Sequence, residues 1–245
     1  MPILNKAERF FELDFLRGIA IFMMMAFHTL WDLNYFKITT FLLYEGFFGI
    51  FQKVTAGLFI FLVGICLTIS YERCLQRNED YKTHFLKRGL KVFGYGLLIT
   101  IFTFFAFPNN FIYFGILHFI SISILLSIFF IKLKDKNLLL AILLFLIYPL
   151  IRSISLPFPY LLALWPNYYL PTFDYFPLLE WFPIFLLGLF FGQKLYPNGV
   201  PKIKLDFSKF SFFKPVNYLG RHSLFLYFIH QPILVVLIWL VSGFS

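Results

Sequence analysis

Seven apolar runs, each long enough or nearly long enough to cross the roughly 30 Å hydrocarbon core of a bilayer, divide this sequence. Because lipid offers the backbone no hydrogen-bonding partners, such runs cross a membrane as helices. The sequence therefore predicts an all-α, polytopic membrane helix bundle of about seven transmembrane helices, in a single domain over residues 1–245. The predicted spans are residues 15–33, 54–70, 92–107, 111–131, 138–151, 177–192 and 223–241, and the stretch 154–165 is either a loop or an interfacial or re-entrant segment.

Composition and charge placement support a membrane protein. Hydrophobic residues make up 60% of the chain and charged residues only 13%, which excludes an ordinary soluble domain. With the N-terminus cytoplasmic and the C-terminus outside, all of the 21 lysines and arginines except Lys37, Lys53 and Arg152 fall on the cytoplasmic side, as the positive-inside rule expects. The net charge of +9 then reflects topology and attraction to anionic membrane lipid. We therefore expect a multi-pass protein of the cell membrane with no nucleic-acid partner.

The first span carries ionisable residues in a stretch that otherwise reads as lipid-facing. At about 100° per residue, His28 lies about 20° around the helix from Arg17, and Asp14 and Asp32 each lie about 60° from it. All four therefore share one stripe, with Arg17 and His28 roughly 16 Å apart along the axis. Snorkelling and interfacial placement explain such residues singly but do not require a common face. Because ionisable groups within a span are costly, the stripe predicts a functional site.

Two further histidines fall inside predicted spans. His118 is expected some seven residues inside the fourth span, and His230 near the middle of the last, just before Pro232. Together with His28 they predict one polar chamber, although each histidine could instead be a satisfied contact between helices. The three come from separate helices with no close-spaced pair, and Cys66 and Cys74 offer neither a disulfide framework nor a zinc pattern. No metal is therefore expected.

Three arginines adjoin apolar runs at the predicted cytoplasmic edge. Arg17, Arg88 and Arg221 lie where the N-termini of inside-to-outside helices would present free N–H groups and the positive ends of their dipoles. This edge could bind phosphate, and the three arginines are its candidate ligands. The alternative is that they only set the topology, as most of the basic residues do.

Six blocks of sequence resemble the small prokaryotic members of the heparan-alpha-glucosaminide N-acetyltransferase catalytic-domain family, within the wider transmembrane acyltransferase superfamily. The blocks are "RFFELDFLRGIAIFMMMAFHTLWDL", "FIFLVGICLTIS", "HFLKRGLKVFGYG", "FGILHFI", "WFPIFLLGLFFGQKLY" and "YLGRHSLFLYFIHQPIL". The resemblance implies an acyltransferase that takes an acyl group, usually acetyl, from cytosolic acetyl-CoA to an amino or hydroxyl group of an acceptor at the other face. It implies that Arg17 belongs to the donor side and that His28 is catalytic. A sugar, glycan or glycolipid is the expected acceptor.

Acyl transfer needs a base for the acceptor proton and donors for the tetrahedral oxyanion. We predict His28 as the base, with Asp32 accepting its other ring N–H, and His118 or His230 as oxyanion donor or second acid or base. The alternative is a proton-coupled transporter that uses its intramembrane His and Asp residues as a relay. Such carriers often show inverted repeats and paired broken helices, which the sequence lacks. A homo-oligomer is left open.

Overall fold

The computed structural model describes residues 10–153, 171–203 and 213–242, and within these ranges the chain forms eight α-helices. They are α1 (Phe11–Tyr35), α2 (Gly46–Gln76), α3 (Tyr81–Ala106), α4 (Ile116–Phe130), α5 (Lys136–Arg152), α6 (Leu178–Leu195), α7 (Lys214–Arg221) and α8 (Ser223–Ser242). Short 3-10 turns follow α4 (Ile131–Leu133) and α6 (Pro197–Gly199). The stretch 154–165, predicted as a loop or a re-entrant segment, lies outside the described residues.

Six of the described helices are long and apolar enough to cross a membrane, namely α1, α2, α3, α4 with its 3-10 turn, α6 and α8. The 17 residues of α5 lie at the short end of the range that can span the hydrocarbon core. The structure thus confirms an all-α multi-pass membrane protein with close to the seven predicted spans. The one described helix with no predicted span is the short amphipathic α7.

Helix starts differ from the predictions where polar groups, and not hydropathy, decide them. The α3 helix begins at Tyr81, well before the predicted residue 92, because the Asp80 side chain accepts hydrogen bonds from the backbone N–H groups of Lys82 and Thr83. This cap satisfies N–H groups that have no partner within the helix. The α3 helix therefore contains four basic residues that precede the predicted span, namely Lys82, Lys87, Arg88 and Lys91.

The α4 helix begins at Ile116 instead of the predicted Phe111. Before it, the Ile112 N–H donates to Thr103 Oγ1 at 3.0 Å and Thr172 Oγ1 donates to the Phe111 carbonyl at 2.9 Å. These bonds hold an apolar stretch in a non-helical conformation, which hydropathy alone does not reveal. His118 consequently lies in the first turn of α4 and not two turns inside a span.

Contacts divide the chain into two compact units, which we call the central unit (Val63–Lys202) and the terminal unit (residues up to Leu62 and from Ile203). In the central unit α3 packs on α4 and α5 packs on α6. Ser121 Oγ on α4 donates to the Gly89 carbonyl on α3 at 2.8 Å. Glycine at position 89 and a hydroxyl at 121 thus join the two helices by a buried hydrogen bond.

In the terminal unit α1 packs along α7 and also contacts α8. A Cβ on Gly18 would collide with the carbonyl oxygen of Val216, and a Cβ on Gly220 would collide with the carbonyl oxygen of Asp14. The backbones of α1 and α7 therefore touch at two glycines, one on each helix. Asn217 Nδ2 adds a 3.0 Å hydrogen bond to the Phe11 carbonyl.

Only His222 separates α7 from α8. Its N–H donates to the Tyr218 and Leu219 carbonyls, and its own carbonyl accepts from the Leu226 N–H at 2.9 Å. Backbone hydrogen bonds therefore continue from one helix into the next through this residue. The position of α7 on α1 consequently determines where α8 begins.

Candidate active site

A buried carboxylate joins two of the predicted donor-site arginines. Asp14 is 2% exposed, and its Oδ1 lies 2.7 Å from Arg17 Nη1. Its Oδ2 lies 3.6 Å from Arg221 Nε, which comes from the end of α7. A buried carboxylate needs such partners because burial otherwise strongly penalises the charge. The cluster has two positive charges and one negative charge, and both arginine side chains remain partly exposed.

Two histidines of the terminal unit, one on α1 and one on α8, lie side by side. The ring centroids of His28 on α1 and His230 on α8 are 5.0 Å apart, with the ring planes inclined at 59°. His230 Nδ1 lies 2.8 Å from the Tyr227 carbonyl and 3.2 Å from the Leu226 carbonyl. A carbonyl can only accept, so Nδ1 is the protonated nitrogen.

The tautomer of His230 has a chemical consequence. With the proton on Nδ1, the neutral ring presents a lone pair at Nε2. That atom is buried and has no hydrogen-bond partner among the described residues. The site therefore contains, beside the His28 ring, a proton acceptor to which no described residue donates.

Asp32 bonds to a different partner from the one predicted. Its Oδ1 accepts a 2.6 Å hydrogen bond from Gln231 Nε2, and its Oδ2 is buried without a hydrogen-bond partner in the described part of the chain. Asp32 is 1% exposed. The interaction predicted between Asp32 and the His28 ring is thus replaced by one with the amide next to His230.

The predicted stripe on α1 faces one C-terminal segment. Asp14 contacts α7, and both His28 and Asp32 contact α8. Helical periodicity correctly indicated that these residues share a face, because α1 is continuous from Phe11 to Tyr35. The stripe therefore lies along the packing surface between α1 and the α7–α8 segment.

The remaining predicted site residues belong to the central unit. His118 is 3% exposed, its ring packs against Phe93 and Phe114, and its Nε2 lies 3.4 Å from Thr100 Oγ1. These contacts match the alternative of a satisfied inter-helix histidine, and the catalytic role of His118 stays a prediction. Arg88 is half-buried in the second turn of α3.

A carboxylate from a distant loop caps α4. Asp174 Oδ2 accepts a 2.9 Å hydrogen bond from the Ile116 N–H, at the first residue of the helix. The side chain is partly buried, and this burial raises the pKa of Asp174 to about 6 although the hydrogen bond from Ile116 acts in the opposite direction. The residue anchors the loop before α6 to the start of α4.

Sequence reasoning missed Gln231 and gave no role to Asp14 beyond its place on the stripe. Gln231 directly follows His230, so a polar pair within an apolar span was a visible signal. What the sequence lacks is the register between α1 and α8, which decides that the amide meets Asp32.

The terminal unit thus contains two pairs of candidate residues. His28 and His230 are adjacent imidazoles within its membrane-spanning helices, and Arg17 and Arg221 are partly exposed near the start of α1. No curated protein and no solved structure matches the chain significantly. The catalytic family of heparan-alpha-glucosaminide N-acetyltransferase matches residues 9–232, which is most of the 245-residue chain and includes both groups. This multi-pass membrane protein therefore belongs to the heparan-alpha-glucosaminide N-acetyltransferase catalytic family and has a membrane acetyltransferase type of function.

Proposed function

We propose that the protein moves an acetyl group from cytosolic acetyl-CoA to an amino or hydroxyl group of a sugar or glycoconjugate at the opposite face of the membrane. The observation that carries the proposal is the pair of adjacent imidazoles, His28 and His230. The Nε2 atom of His230 is buried and has no hydrogen-bond partner among the described residues. Family membership supports the reaction type. The donor, the acceptor and the direction of transfer are the proposed parts.

The arginine cluster is suited to the phosphates of the donor. Two guanidinium groups, those of Arg17 and Arg221, share the one carboxylate of Asp14, and both are partly exposed. Guanidinium groups bind phosphate oxygens through several N–H donors at once. Asp14 holds Arg17 by a 2.7 Å contact and so limits the side-chain freedom that binding would otherwise remove. The phosphate-binding role of Arg88 on α3 stays a prediction.

The distance between the arginine cluster and the histidine pair suits an acyl-CoA donor bound in an extended conformation. Eleven residues of continuous helix separate Arg17 from His28, which corresponds to roughly 16 Å along the axis. Donor phosphates held at Arg17 would leave the flexible arm to extend toward the level of the histidines. The site thus separates donor binding from the acyl carbon that reacts.

In the proposed reaction one proton moves from the acceptor to His28 and then to the departing CoA sulfur. As the acceptor nitrogen or oxygen bonds to the acyl carbon, His28 takes its proton and the carbonyl becomes an oxyanion. Collapse of this intermediate breaks the carbon–sulfur bond, and the protonated His28 returns the proton to the departing CoA sulfur. No oxidant, reductant or metal is required for the balance.

His230 takes the role first predicted for Asp32. We propose that His28 donates one ring N–H to His230 Nε2 and uses its other nitrogen as the base. The centroid separation of 5.0 Å puts the rings close enough for this contact after a small ring rotation. Fixing the His28 tautomer in this way orients its lone pair, as a third group commonly does for catalytic histidines.

Radiolabelled acetyl transfer tests the proposal. Purified protein in vesicles is supplied with acetyl-CoA and with glucosamine, glucose or water as acceptor, and its thermal unfolding is measured with and without CoA. We expect wild type to be stabilised by CoA and to transfer or hydrolyse the acetyl group. His28→Ala should keep the stabilisation and lose the chemistry. Phe22→Ala serves as the matched control, because Phe22 is 66% exposed and lies on α1 away from the stripe.

Absence of stabilisation by CoA and acetyl-CoA in folded wild-type protein would overturn the donor assignment. The intramembrane histidines and Asp32 would then favour the proton-coupled carrier. Transfer that persists at the wild-type rate in His28→Ala would instead overturn the catalytic pair while leaving the donor site intact.

A further inference from the structure

Three potential metal ligands converge at the turn between α2 and α3, in the central unit. They are Cys74 near the end of α2, Glu79 in the turn and His84 in the first turn of α3. The thiol sulfur, a carboxylate oxygen and an imidazole nitrogen all lie within 4.8 Å of one another. None of the three is among the predicted active-site residues.

The backbone that carries the three side chains is fixed by local hydrogen bonds. The Glu79 N–H donates to the Cys74 carbonyl at 2.9 Å, and the His84 N–H donates to the Asp80 carbonyl at 3.1 Å. Asn78 adopts a left-handed conformation with φ 55°, which ends α2 and reverses the chain direction. The convergence is therefore a consequence of the turn itself and does not depend on mobile side chains alone.

The side chains are available as ligands. Cys74 is buried at 3% exposure, whereas Glu79 and His84 are exposed. Neither the Glu79 carboxylate nor the His84 ring nitrogens make a hydrogen bond or ion pair within the described part of the chain. The neighbouring carboxylate of Asp80, by contrast, is fully engaged with Lys82 and Thr83 at the start of α3.

We propose that Cys74, Glu79 and His84 bind one zinc-class transition-metal ion. Thiolate, imidazole and carboxylate are the ligands that Zn²⁺ uses, at roughly 2.0–2.3 Å from the metal. In a tetrahedral arrangement such ligand atoms are roughly 3.5 Å apart. Rotation of the two exposed side chains that moves their ligand atoms by about 1 Å therefore closes the site around an ion. The soft thiolate disfavours Mg²⁺ and Ca²⁺, which prefer oxygen ligands.

The ion would bridge two helices. Its ligands come from the last turn of α2, the turn at residues 77–80 and the first turn of α3, so binding ties the two helix ends together. Three protein ligands leave one position for water or another small ligand. The site is expected to stabilise the turn and to be independent of acetyl transfer.

Metal binding to the full-length protein tests this assignment. The affinity tag is removed, the detergent-purified protein is stripped with EDTA, and Zn²⁺ or Co²⁺ is added before gel filtration and elemental analysis. We expect one equivalent of Zn²⁺ per chain to remain bound, a higher unfolding temperature with Zn²⁺, and a thiolate-to-metal charge-transfer band with Co²⁺.

Matched variants connect the signal to these residues. His84→Ala and Cys74→Ser should weaken Zn²⁺ binding about 100-fold or more, since the loss of even an outer-shell partner costs 10–100-fold. Cys66→Ser and His222→Ala remove the other cysteine and another exposed histidine and should bind as wild type does. If Cys74→Ser misfolds, Cys74→His keeps a ligand at the position. This variant should bind Zn²⁺, and its Co²⁺ form should lack the thiolate-to-metal charge-transfer band.

Any of three results would overturn the assignment. The first is the absence of retained Zn²⁺ in folded wild-type protein. The second is binding that is unchanged in His84→Ala, and the third is a charge-transfer band that is lost in Cys66→Ser and kept in Cys74→Ser. Because the readout is metal content and spectrum, none of these results bears on acetyl transfer.

Discussion

Asp32 on α1 accepts a 2.6 Å hydrogen bond from Gln231 on α8, a residue 199 positions later in the chain. The bond lies one residue from His230, whose ring contacts His28. Both polar contacts therefore join the same two helices within the terminal unit. A defect in the first is expected to disturb the second, because both depend on one register between α1 and α8.

Replacing Gln231 by Ala should destabilise the protein by about 1–3 kcal/mol, since a buried carboxylate then loses its hydrogen-bond donor. Asp32→Asn should be much milder, because an asparagine carbonyl can still accept from Gln231 Nε2. Thermal unfolding in one detergent, with Phe22→Ala as control, measures both. Equal stability of Gln231→Ala and wild type would contradict the importance of this bond.

Single substitutions of His28 or His230 by Ala should each lower acetyl transfer by about 10²–10⁴-fold, the usual contribution of a general base. If the two rings act as one unit, the double variant should be no slower than the slower single variant. Initial rates for the four proteins of this cycle test the coupling. Multiplied effects in the double variant would show that the rings act independently.

Arg17→Gln and Arg221→Gln should each raise the KM for acetyl-CoA about tenfold or more, with a smaller effect on kcat, because they remove phosphate contacts distant from the reacting carbon. Arg152→Gln is the matched control, an exposed arginine at the end of α5. Steady-state kinetics over a range of acetyl-CoA concentrations give the two parameters. An effect confined to kcat would place these arginines at the chemical step.

The raised pKa of Asp174 predicts that the stability of the folded protein depends on pH. Its pKa is raised by burial from 3.8 to about 6, so the folded state holds the proton more tightly than the unfolded chain. The contribution of Asp174 to the free energy of unfolding is therefore greatest below about pH 4, and it is lost as the pH rises through about 6. We expect the unfolding temperature to fall by a few degrees between about pH 4.5 and pH 7 because of this group.

Asp174→Asn should remove that part of the pH dependence while keeping an acceptor for the Ile116 N–H. Asp135→Asn, at an exposed carboxylate that pairs with Lys194, is the control and should leave it unchanged. Identical pH profiles for wild type and Asp174→Asn would show that other groups determine the dependence.

Gly18→Ala and Gly220→Ala should each reduce folded yield severely, because the added methyl group meets a backbone carbonyl that cannot move independently. Gly94→Ala is the control, since a Cβ at this exposed position of α3 meets no atom within 4 Å. It should be neutral or stabilising by up to about 1 kcal/mol. Expression and size-exclusion profiles distinguish the three variants, and a normal Gly220→Ala profile would refute the tight contact.

The helices and the shared face of α1 were predictable because hydropathy and the 3.6-residue repeat are local properties of the sequence. The start of α4 was not, because Thr103 and Thr172 hold the preceding residues outside the helix from distant positions. The α7 helix was missed because eight residues of mixed polarity resemble a basic loop.

The contacts between helices could not be predicted from sequence patterns. The pairing of Asp32 with Gln231, and that of His28 with His230, depends on the axial offset of α1 and α8, which no periodicity encodes. The same limit applies to Cys74, Glu79 and His84, because their convergence depends on how sharply the chain reverses at Asn78. The residue types were visible, but the geometry that brings them together was not.

The single residue between α7 and α8 makes the chain intolerant of length changes at that point. One inserted residue would turn every α8 side chain by about 100° and shift it 1.5 Å relative to the glycine contact that seats α7 on α1. His230 would then rotate away from His28 although no residue of either helix had been replaced. The alignment of the arginine pair with the histidine pair is thus set by a residue count, and a deletion scan across positions 220–224 would show it as an abrupt loss of function.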